Sequence, residues 1–149
     1  MKIFNLISKK ITDTIFISAS LVFNISVSIV YIAVKFENHL LLQISGAVSI
    51  SLILPFTFTM LGYLKEKAGK KILISHIFIL FYLVLEILLD YILKIPFREI
   101  LAIHIPYIIF FYAAVFNMIV ISFKINKKMG WVVTASFIVL IGCLIYMYS

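Results

Sequence analysis

Five long apolar runs, separated by short charged stretches, constrain the fold of this chain more than any other feature. The first four reach the roughly 20 residues that a helix needs to cross a bilayer, and the fifth is near the lower limit of about 17. Lipid offers the backbone no hydrogen-bond partner, so each run is expected to be a helix. The sequence therefore predicts an all-α polytopic membrane protein, with one membrane domain over residues 1–149. Its five transmembrane helices are expected at about 14–34, 40–64, 72–93, 100–123 and 131–147.

Composition and loop length agree with this class. Apolar residues make up 64% of the chain and charged residues 13%, whereas a soluble domain is typically ~45–50% apolar and about 25% charged. The loops read KFENH, KEKAGKK, KIPFRE and KINKKMG, which leaves no room for a soluble domain. Neighbouring helices are therefore expected to pack antiparallel through tight turns.

The distribution of Lys and Arg predicts the orientation. Ten of the 13 lie near the N-terminus, in the 65–71 loop or in the 124–128 loop, and only Lys35, Lys94 and Arg98 fall on the other side. The positive-inside rule then places the N-terminus in the cytoplasm and the C-terminus outside. The net charge of +7 fits this bias and contact with anionic lipid at the cytoplasmic face, so it requires no nucleic acid. A bias toward residues such as Ile, Lys and Phe suggests a prokaryotic plasma membrane.

Short catalytic and cofactor motifs are absent from the sequence. It contains no Gly-rich phosphate loop, no CxxC, no HExxH and no GxSxG. The three His residues are dispersed along the chain, and the single Cys143 permits no disulfide within it. The sequence therefore leaves any cofactor or metal unknown and gives little support to an enzyme.

Polar residues within two of the runs follow a helical period. At about 100° per residue, those of the first run share one face, and those of the third run do the same. Neither polar stripe can face lipid comfortably, so both are expected to point into the bundle, with the first and third helices as neighbours. The members of interest are Asn24, Ser28, Tyr31 and Lys35 in the first run, and Tyr82, Glu86, Asp90 and Lys94 in the third, with Arg98 continuing its spacing.

Glu86 is the costliest member of these stripes. It is expected roughly 10 Å below the outer surface, and an ionised carboxylate costs about 2.5–3.5 kcal/mol at a helix centre and less nearer the interface. Asp90 lies one turn closer to water, and two carboxylates this close can share a proton or an ion. His104 is predicted at a similar depth and could complete the site. The alternative is packing: Glu86 could hold helices together through Lys35, Lys94 or Arg98, although such contacts are worth only ~0.6 kcal/mol on average.

Three classes of function fit these residues. The first is a transporter-, channel- or ligand-binding-like protein that uses Glu86 and Asp90 for a proton, a cation or a small cationic substrate. The second is a non-catalytic accessory, immunity-type or scaffold subunit, in which the stripes serve a homo-oligomer or a partner membrane protein. The third, less favoured, is an intramembrane lipid-modifying enzyme. The intramembrane acid favours the first class.

Overall fold

The computed structural model describes residues 8–149, and within them it contains helices and no strands. A π-helical turn, Ile87–Ile92, continues the helix that ends at Glu86, and a short 3-10 turn, Phe97–Glu99, precedes the helix that begins at Leu101. The α-helices are α1 Lys9–Lys35, α2 His39–Ser51, α3 Ile53–Lys65, α4 Lys70–Glu86, α5 Leu101–Ile125 and α6 Lys127–Tyr148.

These helices form five segments that are long and apolar enough to cross a membrane, which confirms the predicted bundle. The α2–α3 pair forms one segment, His39–Lys65, and α4 with its π-helical turn forms another, Lys70–Ile92. Such a bundle is the architecture expected of a small integral membrane protein. Which side of the membrane each terminus occupies stays a prediction.

Local sequence explains where several helices begin and break. The side chains of Ser8, Asn38 and Asn126 cap α1, α2 and α6 by accepting backbone N–H groups of the first turn. The break between α2 and α3 falls at Leu52. Pro55 follows in the first turn of α3, where its missing N–H costs least.

Helix α1 lies at the centre of the bundle. Its most apolar stretch is 50% buried, whereas the α2–α3 segment and α6 are only 17% buried. It packs against α2, α3, α6 and α5, while α4 packs mainly against α3 and α5. Helices α1 and α4 still meet through side chains, because the ring of Phe23 lies 6.0 Å from that of Tyr82.

The polar stripe of α1 lies inside the bundle, as its period predicts. Ser20 and Asn24 are completely buried. The Asn24 amide donates to the Ser136 hydroxyl of α6 at 2.8 Å, so this part of the stripe joins α1 to α6. The α4 stripe is also turned inward, with Tyr82 buried and Glu86 only partly exposed.

Candidate functional site

Glu86 ends α4 and reaches back into the bundle. Its Oε2 atom accepts hydrogen bonds from the hydroxyl of Tyr107 on α5 and, at 3.2 Å, from that of Tyr82 one turn earlier on α4. The two hydroxyl oxygens lie 3.0 Å apart. Two phenols from different helices therefore hold one carboxylate oxygen.

The π-helical turn after Glu86 shapes the next part of the site. Leu93 N donates to the carbonyl of Leu88, five residues earlier, at 2.8 Å. Such π-helical turns are frequent at functional sites. The turn carries Asp90, whose two carboxylate oxygens accept from Nη1 and Nη2 of Arg98 at 2.8 and 2.9 Å. Arg98 thus engages Asp90 through a bidentate pair.

Arg98 contacts Glu86 only at longer range. Its Nη2 lies 3.8 Å from Glu86 Oε1, and its guanidinium lies 4.4 Å from the ring centroid of Phe97. Burial lowers the pKa of Arg98, but the hydrogen bonds with Asp90 raise it more, so the net pKa lies above its ordinary value. Arg98 is therefore a permanent cation.

We call Glu86, Tyr82, Tyr107, Asp90 and Arg98 the Glu86 cluster. It carries one net negative charge when both acids are ionised, because Arg98 balances only one of them. The bidentate geometry assigns that balance mainly to Asp90. Glu86 is left with two neutral hydrogen-bond donors and one distant cation. Its negative charge is therefore not fully balanced, so it can bind a proton or another cation.

Glu86 also lines a cavity of about 780 Å³ at this end of the bundle. Helices α1, α2, α4, α5 and α6 all contribute to its wall. We call four of its apolar residues the apolar floor: Phe23, Val27, Leu83 and Phe111. Because Phe23 precedes Lys35, another lining residue, by twelve positions, the cavity extends roughly 18 Å along α1 at 1.5 Å per residue. Its volume is in the range of small-molecule sites, about 300–1,000 Å³.

Two further polar residues lie on the cavity wall. The ring of His104 stacks on that of Tyr107 at 6.2 Å and 16°, and its buried Nδ1 atom has no hydrogen-bond partner among the described residues. Lys35 is already engaged, since its Nζ donates to the carbonyl of Tyr146 at 2.7 Å and lies 4.1 Å from that ring centroid. An unpartnered buried atom such as His104 Nδ1 calls for a water or a ligand.

The structure separates the residues that the sequence proposes for this site. Those on the cavity wall are Glu86, His104, Tyr31, Lys35, Tyr82 and Arg98. The other four do not line it. Asp90 binds Arg98, Asn24 donates to Ser136 on α6, Ser28 donates to the carbonyl of Asn24, and Lys94 is exposed. Asp90 and Lys94 can therefore influence the cavity only through their charge.

Sequence reasoning missed Tyr107, which donates to Glu86. Its spacing was the available signal, because it lies one turn after His104 and so shares the face of α5 that carries His104. It also missed the pairing of Asp90 with Arg98, which depends on how the chain turns back between α4 and α5.

A second group of polar side chains lies near the other end of the bundle and packs tightly. Tyr63 donates to Asp13 at 2.6 Å. His76 is completely buried, with Nε2 3.2 Å from Thr59 Oγ1 and Nδ1 3.1 Å from the carbonyl of Ile72. Both ring nitrogens of His76 thus have partners within the fold. This second group is therefore suited to hold α1, α3 and α4 together.

The part of the chain that the structure describes contains no preformed metal site, because no three His, Cys, Asp or Glu side chains come together there. Comparison with models of known families, with curated proteins and with solved structures gives no match. The functional interpretation therefore rests on the geometry of the Glu86 cluster and its cavity.

Proposed function

We propose that this protein is a small integral membrane protein that binds, and in a transport-like cycle releases, a cation or a proton at Glu86. Under the predicted orientation, the site lies in the outer half of the membrane and the N-terminus is cytoplasmic. The single observation that carries the proposal is the position of Glu86 on the wall of a 780 Å³ cavity. An acid that served only to fasten helices would need no such space.

Charge supports the same interpretation. Arg98 is bound to Asp90 through two nitrogens, so it leaves the Glu86 carboxylate incompletely neutralised. A charge within a membrane is costly unless it is paired, which favours binding of a proton or a cation to Glu86. The unpartnered Nδ1 of His104 offers such a ligand a further polar contact.

Assembly is the alternative function. In that case the phenols and Arg98 would fix Glu86 as a link between α4 and α5, and the stripes would serve a homo-oligomer or a partner membrane protein. The link is present in the structure, so the experiment must distinguish a binding carboxylate from a fastening one.

Covalent labelling of Glu86 tests the proposal. N,N′-dicyclohexylcarbodiimide, a lipophilic reagent that reacts with protonated carboxyl groups, is applied to the protein in lipid nanodiscs, and the modified residue is identified by mass spectrometry. We expect labelling at Glu86 that added cations reduce. Asp13, which does not line the cavity and is bonded to Tyr63, is the internal control.

The variant Glu86→Gln completes the test, because it keeps the shape of the side chain and removes its charge. We expect it to fold and to lose both labelling and cation response. A variant that unfolds in detergent, together with wild-type protein whose Glu86 labelling no cation alters, would support assembly and overturn the proposal.

A further inference from the structure

The cavity is far larger than a proton or an inorganic ion requires. Apolar side chains line much of it besides the apolar floor, namely Val30, Val34, Ile108, Leu144 and Met147. An ion coordinated by water or by carboxylates would make no use of this surface. An apolar group, by contrast, is stabilised where it covers such side chains.

Aromatic rings form much of the wall. Those that line the cavity together with Glu86 include Phe23, Tyr31, Tyr82, Tyr107, Phe111 and Tyr112. Aromatic faces attract organic cations within about 6 Å, and aromatic cages recognise quaternary ammonium groups in this way. A carboxylate set among such rings combines the two features of a receptor for an organic cation.

The two cations on the wall do not favour an anionic ligand. Arg98 is held by Asp90 through two hydrogen bonds, and Lys35 is held by the end of α6. Glu86 is the one acid among the described residues of the wall, and its ionic partner, Arg98, lies 3.8 Å away. The positive charge of a ligand is therefore best placed at Glu86.

We propose that the ligand of this cavity is a bulky organic cation, an ammonium-type molecule whose charge lies at Glu86 and whose apolar groups cover the apolar floor. The inference rests on the proposed function, because it assigns a chemical class to the cation that Glu86 binds. Val27, which is 9% exposed and lines the floor, would contact the apolar groups.

Titration calorimetry on the full chain in nanodiscs tests this inference with three probes: tetrabutylammonium, tetramethylammonium and K⁺. We expect tetrabutylammonium to bind more than about tenfold more tightly than tetramethylammonium, since each methylene that becomes buried contributes about fourfold. Loss of the buried charge in Glu86→Gln should weaken tetrabutylammonium binding by at least about tenfold.

Two variants of α1 distinguish the contribution of the apolar floor to binding from that of the Glu86 charge. Val27→Phe fills the apolar floor and should weaken tetrabutylammonium by about tenfold, while tetramethylammonium changes by less than about threefold. Val22→Phe is the matched control, because Val22 is 40% exposed on the same helix and does not line the cavity. It should bind both probes as the wild type does.

The outcomes distinguish this inference from the proposed function. If K⁺ or protons act at Glu86 while tetrabutylammonium fails to bind, or binds equally well to Val27→Phe, the organic-cation inference is wrong and the proposed function stands. If Glu86→Gln alters the response to none of the probes and to no change of pH, both are wrong.

Discussion

Asp90 should control cation binding without touching the ligand. In Asp90→Asn the bidentate pair with Arg98 is lost, and the nearest remaining acid is Glu86, whose Oε1 lies 3.8 Å from Arg98 Nη2. Arg98 should then neutralise Glu86 and compete with any incoming cation. Asp90→Asn is therefore expected to weaken cation binding, and by less than Glu86→Gln does.

The size of this effect follows from the geometry. Two unit charges about 4 Å apart interact by ~4 kcal/mol at an effective dielectric constant of about 20. The Arg98 side chain is 54% exposed, so solvent screens much of this energy. We expect about 1 to 1.5 kcal/mol, which is a five- to tenfold loss of affinity.

Arg98→Gln should have the opposite sign. It leaves Glu86 and Asp90 without their cation, so the affinity for tetrabutylammonium should rise by a similar factor. The double variant Asp90→Asn/Arg98→Gln should return close to the wild-type affinity. Titration calorimetry in nanodiscs measures the four affinities, and circular dichroism on heating verifies that each variant is folded.

Equal weakening by both single variants would refute this reasoning. It would mean that the pair only holds the π-helical turn and the segment before α5 in place, because a structural role does not depend on which charge is removed. Unchanged affinity in both variants would show that the charges of the Glu86 cluster do not influence ligand binding.

Three further predictions concern packing and topology. Gly130→Ala should destabilise the fold by about 1–3 kcal/mol, because the added methyl group would collide with the ring of Phe123; Gly142→Ala, with nothing within 4 Å, should be neutral or slightly stabilising in the same thermal unfolding assay. A double-mutant cycle of Asn24→Ala and Ser136→Ala should give a coupling of about 0.6–1.7 kcal/mol, and a coupling near zero would mean that their 2.8 Å bond adds nothing. With the native cysteine replaced, a new cysteine in the loop between α3 and α4 should resist impermeant reagents applied to intact cells, and labelling from outside would overturn the cytoplasmic N-terminus.

The number of spans could be predicted from the sequence because lipid imposes a simple requirement on length and polarity. The inward direction of the polar stripes followed from helical period. Glu86 and His104 were identified by type and depth, and the structure places both on one cavity wall.

The partners of these residues could not be predicted in the same way. Asp90 and Glu86 are one turn apart, which suggests a shared role, yet Arg98 binds Asp90 because the chain reverses after the π-helical turn. The α1 stripe is predicted to lie beside the third span, yet Asn24 and Lys35 both bond to α6, since α1 is the central helix with neighbours on several sides. A cavity depends on what packing leaves unfilled, and periodicity carries no information about that.

The most direct measurement is the location of a bound organic cation. Crystals of the protein soaked with tetraphenylarsonium would reveal the arsenic atom by its anomalous scattering. We predict one peak inside the cavity, between the Glu86 carboxylate and the apolar floor, and no peak there in crystals of Glu86→Gln. A peak only on the lipid-facing surface, or the same cavity peak in both proteins, would contradict a binding role for Glu86.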